Sequence, residues 1–166
     1  MDALTLLYSK LAEPLTRYAM GVIKETAAAE DIVSETFLRA ARHFIANNEL
    51  PARAWFYKVT RNISLDMLRK KANIEYGDIP DVIDGSRDAD PELSAVHSEQ
   101  MERLANSLSR LPEPYKSALI LKEYNDLTYA EIANILGVST DNVKVIIFRG
   151  RQKLRKLYGR DCDHEV

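Results

Sequence analysis

The chain has 166 residues, of which 46% are hydrophobic and 29% charged, and its formal net charge at pH 7 is −2. This composition is typical of a soluble protein with one domain or two small ones, and it excludes a disordered chain. No apolar run approaches the ~20 residues that a transmembrane helix needs. The first residues lack a secretion signal and the single cysteine cannot form an internal disulfide, so we expect a cytoplasmic location.

Sequence motifs for catalysis are missing from the chain. The three histidines, His43, His97 and His164, are far apart, and no spacing such as HxxxH or CxxC indicates a metal site. Neither a GxxxxGK[ST] nor a GxGxxG phosphate loop occurs. We therefore predict no catalytic residue, no metal, no cofactor and no small-molecule substrate.

The charge pattern divides the chain into three parts. Residues 77–98 contain six acidic residues against one basic residue, Arg87, together with Pro80 and Pro91. Such a segment buries little apolar surface and is predicted to be a flexible acidic linker, the alternative being an ordered surface loop. On both sides of this segment, β-branched residues do not alternate with polar ones over any long window, as they would in strands. We therefore predict an all-α fold with two small helical modules.

Apolar periodicity predicts eight helices, with Pro14 and Pro51 each suited to a helix start. The predicted helices span residues 2–12, 14–24, 27–46, 52–72, 92–110, 113–124, 128–136 and 140–157. In the third helix the predicted apolar face comprises Ile32, Val33, Thr36, Phe37, Ala40 and Phe44. In the fourth helix the predicted buried residues are Phe56, Val59, Ile63 and Met67.

The segment 127–157, LTYAEIANILGVSTDNVKVIIFRGRQKLRKL, has the pattern of a helix-turn-helix. Thr128 and Glu131 form a T-x-x-E capping box, Gly137 allows a sharp turn, and Ser139 can cap the second helix. The alternative is an ordinary helical hairpin in a bundle. The basic character of the second helix favours DNA binding.

A helical wheel of the second helix separates a core stripe from a polar surface. The stripe contains Val143, Ile147, Gly150, Leu154 and Leu157, and Ile146 lies at its edge. Val145 and Phe148 lie opposite the stripe. Lysines and arginines flank them on both sides, which suits a helix whose edges meet the phosphates of a DNA groove. These cations are Lys144, Arg151 and Arg155 on one side and Arg149, Lys153 and Lys156 on the other.

Three motifs in this order resemble a known family. They are AEDIVSETFLRAARHF at 29–44, PARAWFYKVTRNISLDMLRKK at 51–71, and the helix-turn-helix. The chain resembles the extracytoplasmic-function (group 4) sigma factors of bacterial RNA polymerase. The resemblance implies a region 2 module at 1–76, the linker at 77–98 and a region 4 module at 99–166. It also implies core RNA polymerase and promoter DNA as partners, and control by an anti-sigma factor that is commonly membrane-linked.

The helical wheels and the resemblance together give candidate binding residues on three surfaces. On the polymerase-binding surface the resemblance gives Asp31, Ser34 and Glu35, and the predicted exposure of Leu38 makes it a further docking residue. Ser34 stands where the family usually has glutamine. For the −10 element they are Trp55, Lys58, Arg61, Asn62 and Arg69, although Trp55 could equally be a core anchor and Asp66 a local salt-bridge partner. For the −35 element they are Thr140, Asp141, Asn142, Lys144, Val145, Phe148, Arg149 and Arg151. Val145 and Ile146 stand where the family often has serine and arginine, which removes one probable DNA contact.

Two other functions compete with an initiation factor. A freestanding helix-turn-helix regulator would usually be strongly basic, whereas this chain has a pI near 6.0. An adaptor that binds only protein would leave the two basic edges of the last helix without a role.

Overall fold

The computed structural model describes residues 2–74 and 95–163, and the side chains of 2–72 and 99–160. These residues are helical apart from short connections, which confirms the all-α prediction. The helices are α1 (Ala3–Ile23), α2 (Thr26–Asn47), α3 (Arg53–Ile74), α4 (Ala95–Arg110), α5 (Tyr115–Leu119), α6 (Tyr129–Leu136) and α7 (Thr140–Asp163). A π-helical turn, Ile120–Tyr124, continues α5. Of the predicted linker 77–98, residues 77–94 lie outside the described residues. None of the described helices is long and apolar enough to cross a membrane.

Helix α1 runs without interruption through Pro14, where the sequence predicted two helices, 2–12 and 14–24. That prediction was wrong because one buried stripe continues on both sides of the proline. Its residues are Leu11, Leu15, Tyr18, Ala19 and Val22, at the spacing of a single helical face. Burial of this stripe offsets the backbone hydrogen bond that a proline removes from a helix interior.

The first three helices form the N-terminal module, in which α2 buries the predicted residues Ile32, Val33, Thr36, Phe37 and Ala40. Two predicted core residues are exposed instead, Phe44 at 38% and Met67 at 38%. In α3 the buried positions are Ala54, Phe56, Tyr57, Thr60 and Ser64, whereas the predicted Val59 and Ile63 are only partly buried. The buried face is rotated from the predicted one because α3 packs against α1 and α2 on one side and against α6 on another.

The C-terminal module contains α4 to α7 and the helix-turn-helix formed by α6 and α7. Val143, Ile147 and Gly150 of α7 are buried, as the wheel predicted. A Cβ added at Gly150 would lie 3.4 Å from both Leu119 and Tyr115, so α7 approaches α5 closely at this point. Ile146 is partly buried against the core, as its position at the edge of the stripe indicated.

The two modules pack against each other and share one continuous hydrophobic core. Helix α3 contacts α6, and α1 contacts the π-helical turn. The contact is so close that a Cβ added at Gly21 of α1 would lie 2.8 Å from the Cδ1 atom of Ile120. We call this surface, formed by α1 and α3 against α5, the π-helical turn and α6, the module interface.

Candidate functional site

The helix-turn-helix forms through local contacts that the sequence specifies. The Thr128 hydroxyl accepts from the Glu131 amide at 3.2 Å, and the Glu131 carboxylate accepts from the Thr128 amide at 3.2 Å, which completes the capping box. Gly137 has φ of 70°, in the left-handed region that glycine enters at little cost. The Ser139 hydroxyl accepts from the Asn142 amide at 3.1 Å and caps α7. The predicted caps and turn are confirmed.

The outer face of α7 exposes all eight residues that the sequence assigned to the −35 element. They are Thr140, Asp141, Asn142, Lys144, Val145, Phe148, Arg149 and Arg151. Val145 is 42% exposed and Phe148 63%. Two apolar side chains at the centre of a charged helix face are unusual for a surface that meets only water. Their exposure favours a surface that contacts another molecule.

The cations at the edges of this face differ in their partners. Arg151 forms an ion pair with Glu123 of the π-helical turn, and Lys153 lies 5.4 Å from the ring centroid of Tyr115. Lys144 and Arg149 are exposed. Arg151 is therefore held by a carboxylate, whereas Lys144 and Arg149 face solvent directly.

The residues assigned to polymerase lie on the exposed arc of α2. Asp31, Ser34 and Leu38 are exposed, and Leu38 has 47% of its surface accessible. Glu35 is half-buried and accepts from Arg39 Nε at 2.9 Å, one turn along the helix. The four residues are thus brought together on one face of α2, and Asp31, Ser34 and Leu38 are its exposed members.

The residues assigned to the −10 element lie along one side of α3. Lys58, Asn62 and Arg69 are exposed, and Arg69 pairs with Asp66 at 3.3 Å, the local salt bridge that the sequence allowed. Trp55 is partly buried and packs edge-on against Phe56, with ring centroids 5.4 Å apart. Arg61 faces the module interface, where it pairs with Glu113 at 3.5 Å.

Two exposed apolar residues of α2 were not among the assigned residues. Phe44 is 38% exposed and Ile45 is 83% exposed, both near the C-terminal end of α2. His43 lies one residue earlier, with its ring centroid 6.0 Å from that of Trp55. Helical periodicity placed Phe44 in the core and could not locate this surface, because the orientation of α2 depends on contacts with the other helices.

Polar residues of the module interface were also missed. Tyr18 and Ser117 are fully buried and lie 3.1 Å apart between Oη and Oγ, although 99 residues separate them in sequence. Arg53 of α3 donates two hydrogen bonds to Glu131 of α6, at 3.0 and 2.6 Å. In the sequence, the one indication of such an interface was that a polar residue sometimes falls at helical spacing within an apolar stretch. Among the described side chains, no cluster of His, Cys, Asp or Glu could hold a metal ion.

Comparisons with protein families match both modules. Residues 7–74 match the model of sigma-70 region 2, and residues 101–154 match that of sigma-70 region 4. The ECF RNA polymerase sigma factor SigM of Bacillus subtilis is 32% identical over 96% of this chain and 97% of its own length. SigW of the same organism, also an ECF sigma factor, is 32% identical over 77% of this chain and 74% of its own length.

Solved structures share the fold. The structure of CnrH in complex with the cytosolic domain of CnrY has a TM-score of 0.69 at 22% identity, covering 96% of this chain and 89% of that one. The sigma factor RpoE of Bartonella quintana, in complex with the anti-sigma factor NepR, has a TM-score of 0.70 at 20% identity, covering 91% of this chain and 95% of that one.

Proposed function

Because the chain belongs to the extracytoplasmic-function family of RNA polymerase sigma factors, we propose that it binds core RNA polymerase and directs it to specific promoters. The observation that carries this proposal is the pairing, in one chain, of an exposed helix-turn-helix face with an exposed acidic and apolar patch on α2. The first surface suits DNA and the second suits a protein. An initiation factor needs both.

The N-terminal module supplies the polymerase contact and the −10 contact. Asp31, Ser34, Glu35 and Leu38 dock on the polymerase through charge and apolar area together. The separated strand of the −10 element is bound by the exposed Lys58, Asn62 and Arg69 and by the edge of Trp55. Arg61 joins them once its ion pair with Glu113 is broken. Cations hold its phosphates, and an aromatic ring with an amide receives an unstacked base.

The C-terminal module binds the −35 element in the major groove. The first helix of a helix-turn-helix crosses the DNA backbone and the second enters the groove, which assigns these positions to α6 and α7. Lys144, Arg149 and Arg151 neutralise phosphates at the two edges of α7. The residues that can reach bases lie between those edges and at the N-terminal end of α7. They are Thr140, Asp141, Asn142, Val145 and Phe148.

Control by an anti-sigma factor completes the proposed function. The support is the fold shared with the sigma factor RpoE, whose structure contains the anti-sigma factor NepR. A partner that covers the docking residues of α2 or the outer face of α7 would prevent initiation by competing for the same side chains. A membrane-linked partner would keep the protein away from the promoter.

Transcription in vitro tests the proposed function. The protein is added to core RNA polymerase with fragments of the source genome as linear templates, and the transcript starts are mapped. We expect starts at a limited set of positions that share an upstream motif and that core polymerase alone does not produce. A shift of these DNA fragments by the protein alone, without transcripts, would identify a freestanding regulator instead.

Val145 is expected to cover the methyl group of a thymine in the −35 element. An aliphatic side chain cannot hydrogen-bond a base edge, but it can exclude water from a thymine methyl in the major groove. Because one buried methyl contributes about 0.8 kcal/mol, uracil in place of that thymine should weaken holoenzyme binding about fourfold. Val145→Ala should reduce the preference for thymine over uracil at this position.

Arg149→Ala is the matched control on the same helix. Loss of a phosphate contact should weaken binding to thymine and uracil templates equally. It should also reduce the slope of log affinity against log salt concentration by about one. If no single uracil weakens binding of the unmodified protein, the thymine contact does not exist.

A further inference from the structure

A carboxylate lies at the edge of the α7 face that carries the candidate −35 residues. Glu123 of the π-helical turn accepts a hydrogen bond from Arg151 Nη2, although 28 residues separate the two in sequence. The Arg151 side chain is 46% exposed and that of Glu123 is 50% exposed, so solvent screens the pair and it contributes little to stability. The stability of the fold therefore does not account for a carboxylate at this position.

The backbone that carries Glu123 is anchored in the core of the C-terminal module. π-helical turns are rare and occur mostly at functional sites. In this turn Ile120 and Leu121 are buried, and their carbonyl groups are both used. The Asn125 side chain donates to the Ile120 carbonyl at 3.2 Å, and the Leu127 amide donates to the Leu121 carbonyl at 3.1 Å. The exposed carboxylate of Glu123 is thus attached to a backbone whose position is fixed.

Close packing of α7 on α5 fixes the position of Arg151 in the same way. Gly150 directly precedes Arg151 and is buried, and a Cβ added there would lie 3.4 Å from Leu119. Because Leu119 directly precedes the π-helical turn, this close approach brings the Arg151 side chain alongside the turn. All these residues belong to the C-terminal module, so the pair of Glu123 and Arg151 does not depend on how the two modules are arranged.

The three cations assigned to phosphates are therefore not equivalent. Lys144 and Arg149 are exposed and form no ion pair among the described side chains. Arg151 has a carboxylate against its guanidinium, which offsets most of its charge as seen by a more distant anion. Arg151 should accordingly attract DNA phosphates less strongly than Lys144 and Arg149 do.

We propose that Glu123 limits sequence-independent DNA binding by competing with phosphates for Arg151. The proposal rests on the proposed function, which assigns Arg151 to a phosphate at the edge of the groove. Binding to random DNA comes essentially from phosphate contacts, so a restrained cation lowers it directly. Base contacts add to binding on a promoter, and the numerous random sites of a genome stay weakly bound. Glu123 is thus a repulsive element that acts against the wrong DNA.

The experiment measures binding of the full-length protein, without polymerase, to a labelled duplex of random sequence. Fluorescence anisotropy gives the affinity at several salt concentrations. Glu123→Gln removes the charge with little change in shape, and we expect it to bind the duplex about fivefold more tightly, since an exposed ion pair no longer competes. The slope of log affinity against log salt concentration should steepen by about one, because Arg151 then neutralises a phosphate.

Asp126→Asn is the matched control for the loss of a negative charge. Asp126 lies three residues after Glu123, is exposed, and forms no ion pair with the described residues of α7. Its φ of 53° lies in the left-handed region, which asparagine also adopts readily. The affinity for the duplex and the salt slope should stay close to those of the unmodified protein.

A double-mutant cycle with Arg151 identifies the residue through which Glu123 acts. In a protein that already carries Arg151→Ala, Glu123→Gln should change neither the affinity for the random duplex nor the salt slope. Such non-additivity is expected only of residues that act through each other. Circular dichroism should show the same helix content in every variant, since the substituted side chains are exposed.

Three results would overturn the proposal. Unchanged binding by Glu123→Gln would show that the carboxylate does not restrain Arg151. Weaker binding would show that it orients Arg151 for DNA instead of competing with phosphates. A gain that persists with Arg151→Ala, or that Asp126→Asn reproduces, would be a general effect of net charge. None of these results affects the proposed function, which is judged separately by promoter-specific transcripts with core polymerase.

Discussion

Asp31→Lys is expected to weaken binding to core RNA polymerase by at least about a hundredfold. The carboxylate is exposed on the same face of α2 as Leu38, two turns before it, so its replacement should leave the fold intact. A reversed charge at an interface of complementary charge costs several kcal/mol through like-charge contact. The measurement is competition with a labelled sigma factor for a limiting amount of core polymerase.

Glu13→Lys is the control for this charge reversal. Glu13 is exposed on α1 and pairs with Arg17 at 3.3 Å, an exposed pair of the kind that contributes little to stability. It makes the same change in net charge and should compete normally. Glu35→Lys is less informative, because it also places a lysine beside Arg39, the present partner of Glu35. Normal competition by Asp31→Lys would remove α2 from the polymerase-binding surface.

Ile147→Ala should lower the free energy of unfolding by about 2–5 kcal/mol, the usual cost of truncating a large buried aliphatic side chain. Ile147 is 2% exposed and lies in the core stripe of α7. The helix-turn-helix loses its packing against the rest of the module, so promoter binding should fall as well. Urea denaturation followed by circular dichroism measures the change.

Phe148→Ala is the matched control, one residue further along the same helix. Phe148 is 63% exposed, so its truncation should change the free energy of unfolding by no more than about 0.5 kcal/mol. It should nevertheless weaken −35 binding, because its ring lies on the outer face of α7. Equal destabilisation by the two substitutions would contradict the assignment of the core stripe and the outer face.

Local features of the fold were predictable from the sequence, because neighbouring residues determine them. The capping box of Thr128 and Glu131, the turn at Gly137 and the core stripe of α7 each depend on a few consecutive positions. The exposed arc of α2 followed from the same periodicity. The candidate −35 surface was therefore located correctly as an exposed face, while its contacts with DNA remain a prediction.

Features that depend on contacts between distant segments were not predictable in this way. Pro14 was interpreted as a helix start, since the burial that keeps α1 continuous comes from packing against other helices. Met67 was placed in the core because a wheel shows one apolar face and cannot show that α3 packs on two sides. The partners of Arg61 and Arg151, which are Glu113 and Glu123, follow only from the folded arrangement.

Glu131 shows how two requirements can fix the identity of one residue. Either glutamate or glutamine can complete a capping box, since both side chains accept from the backbone amide of the capping residue. Only a carboxylate can also neutralise Arg53 across the module interface through a two-bond pair. A Glu131→Gln exchange therefore separates these two roles, because it keeps the start of α6 and gives up the ionic part of the contact between the modules. The choice between two nearly isosteric side chains thus carries information about the arrangement of the whole chain.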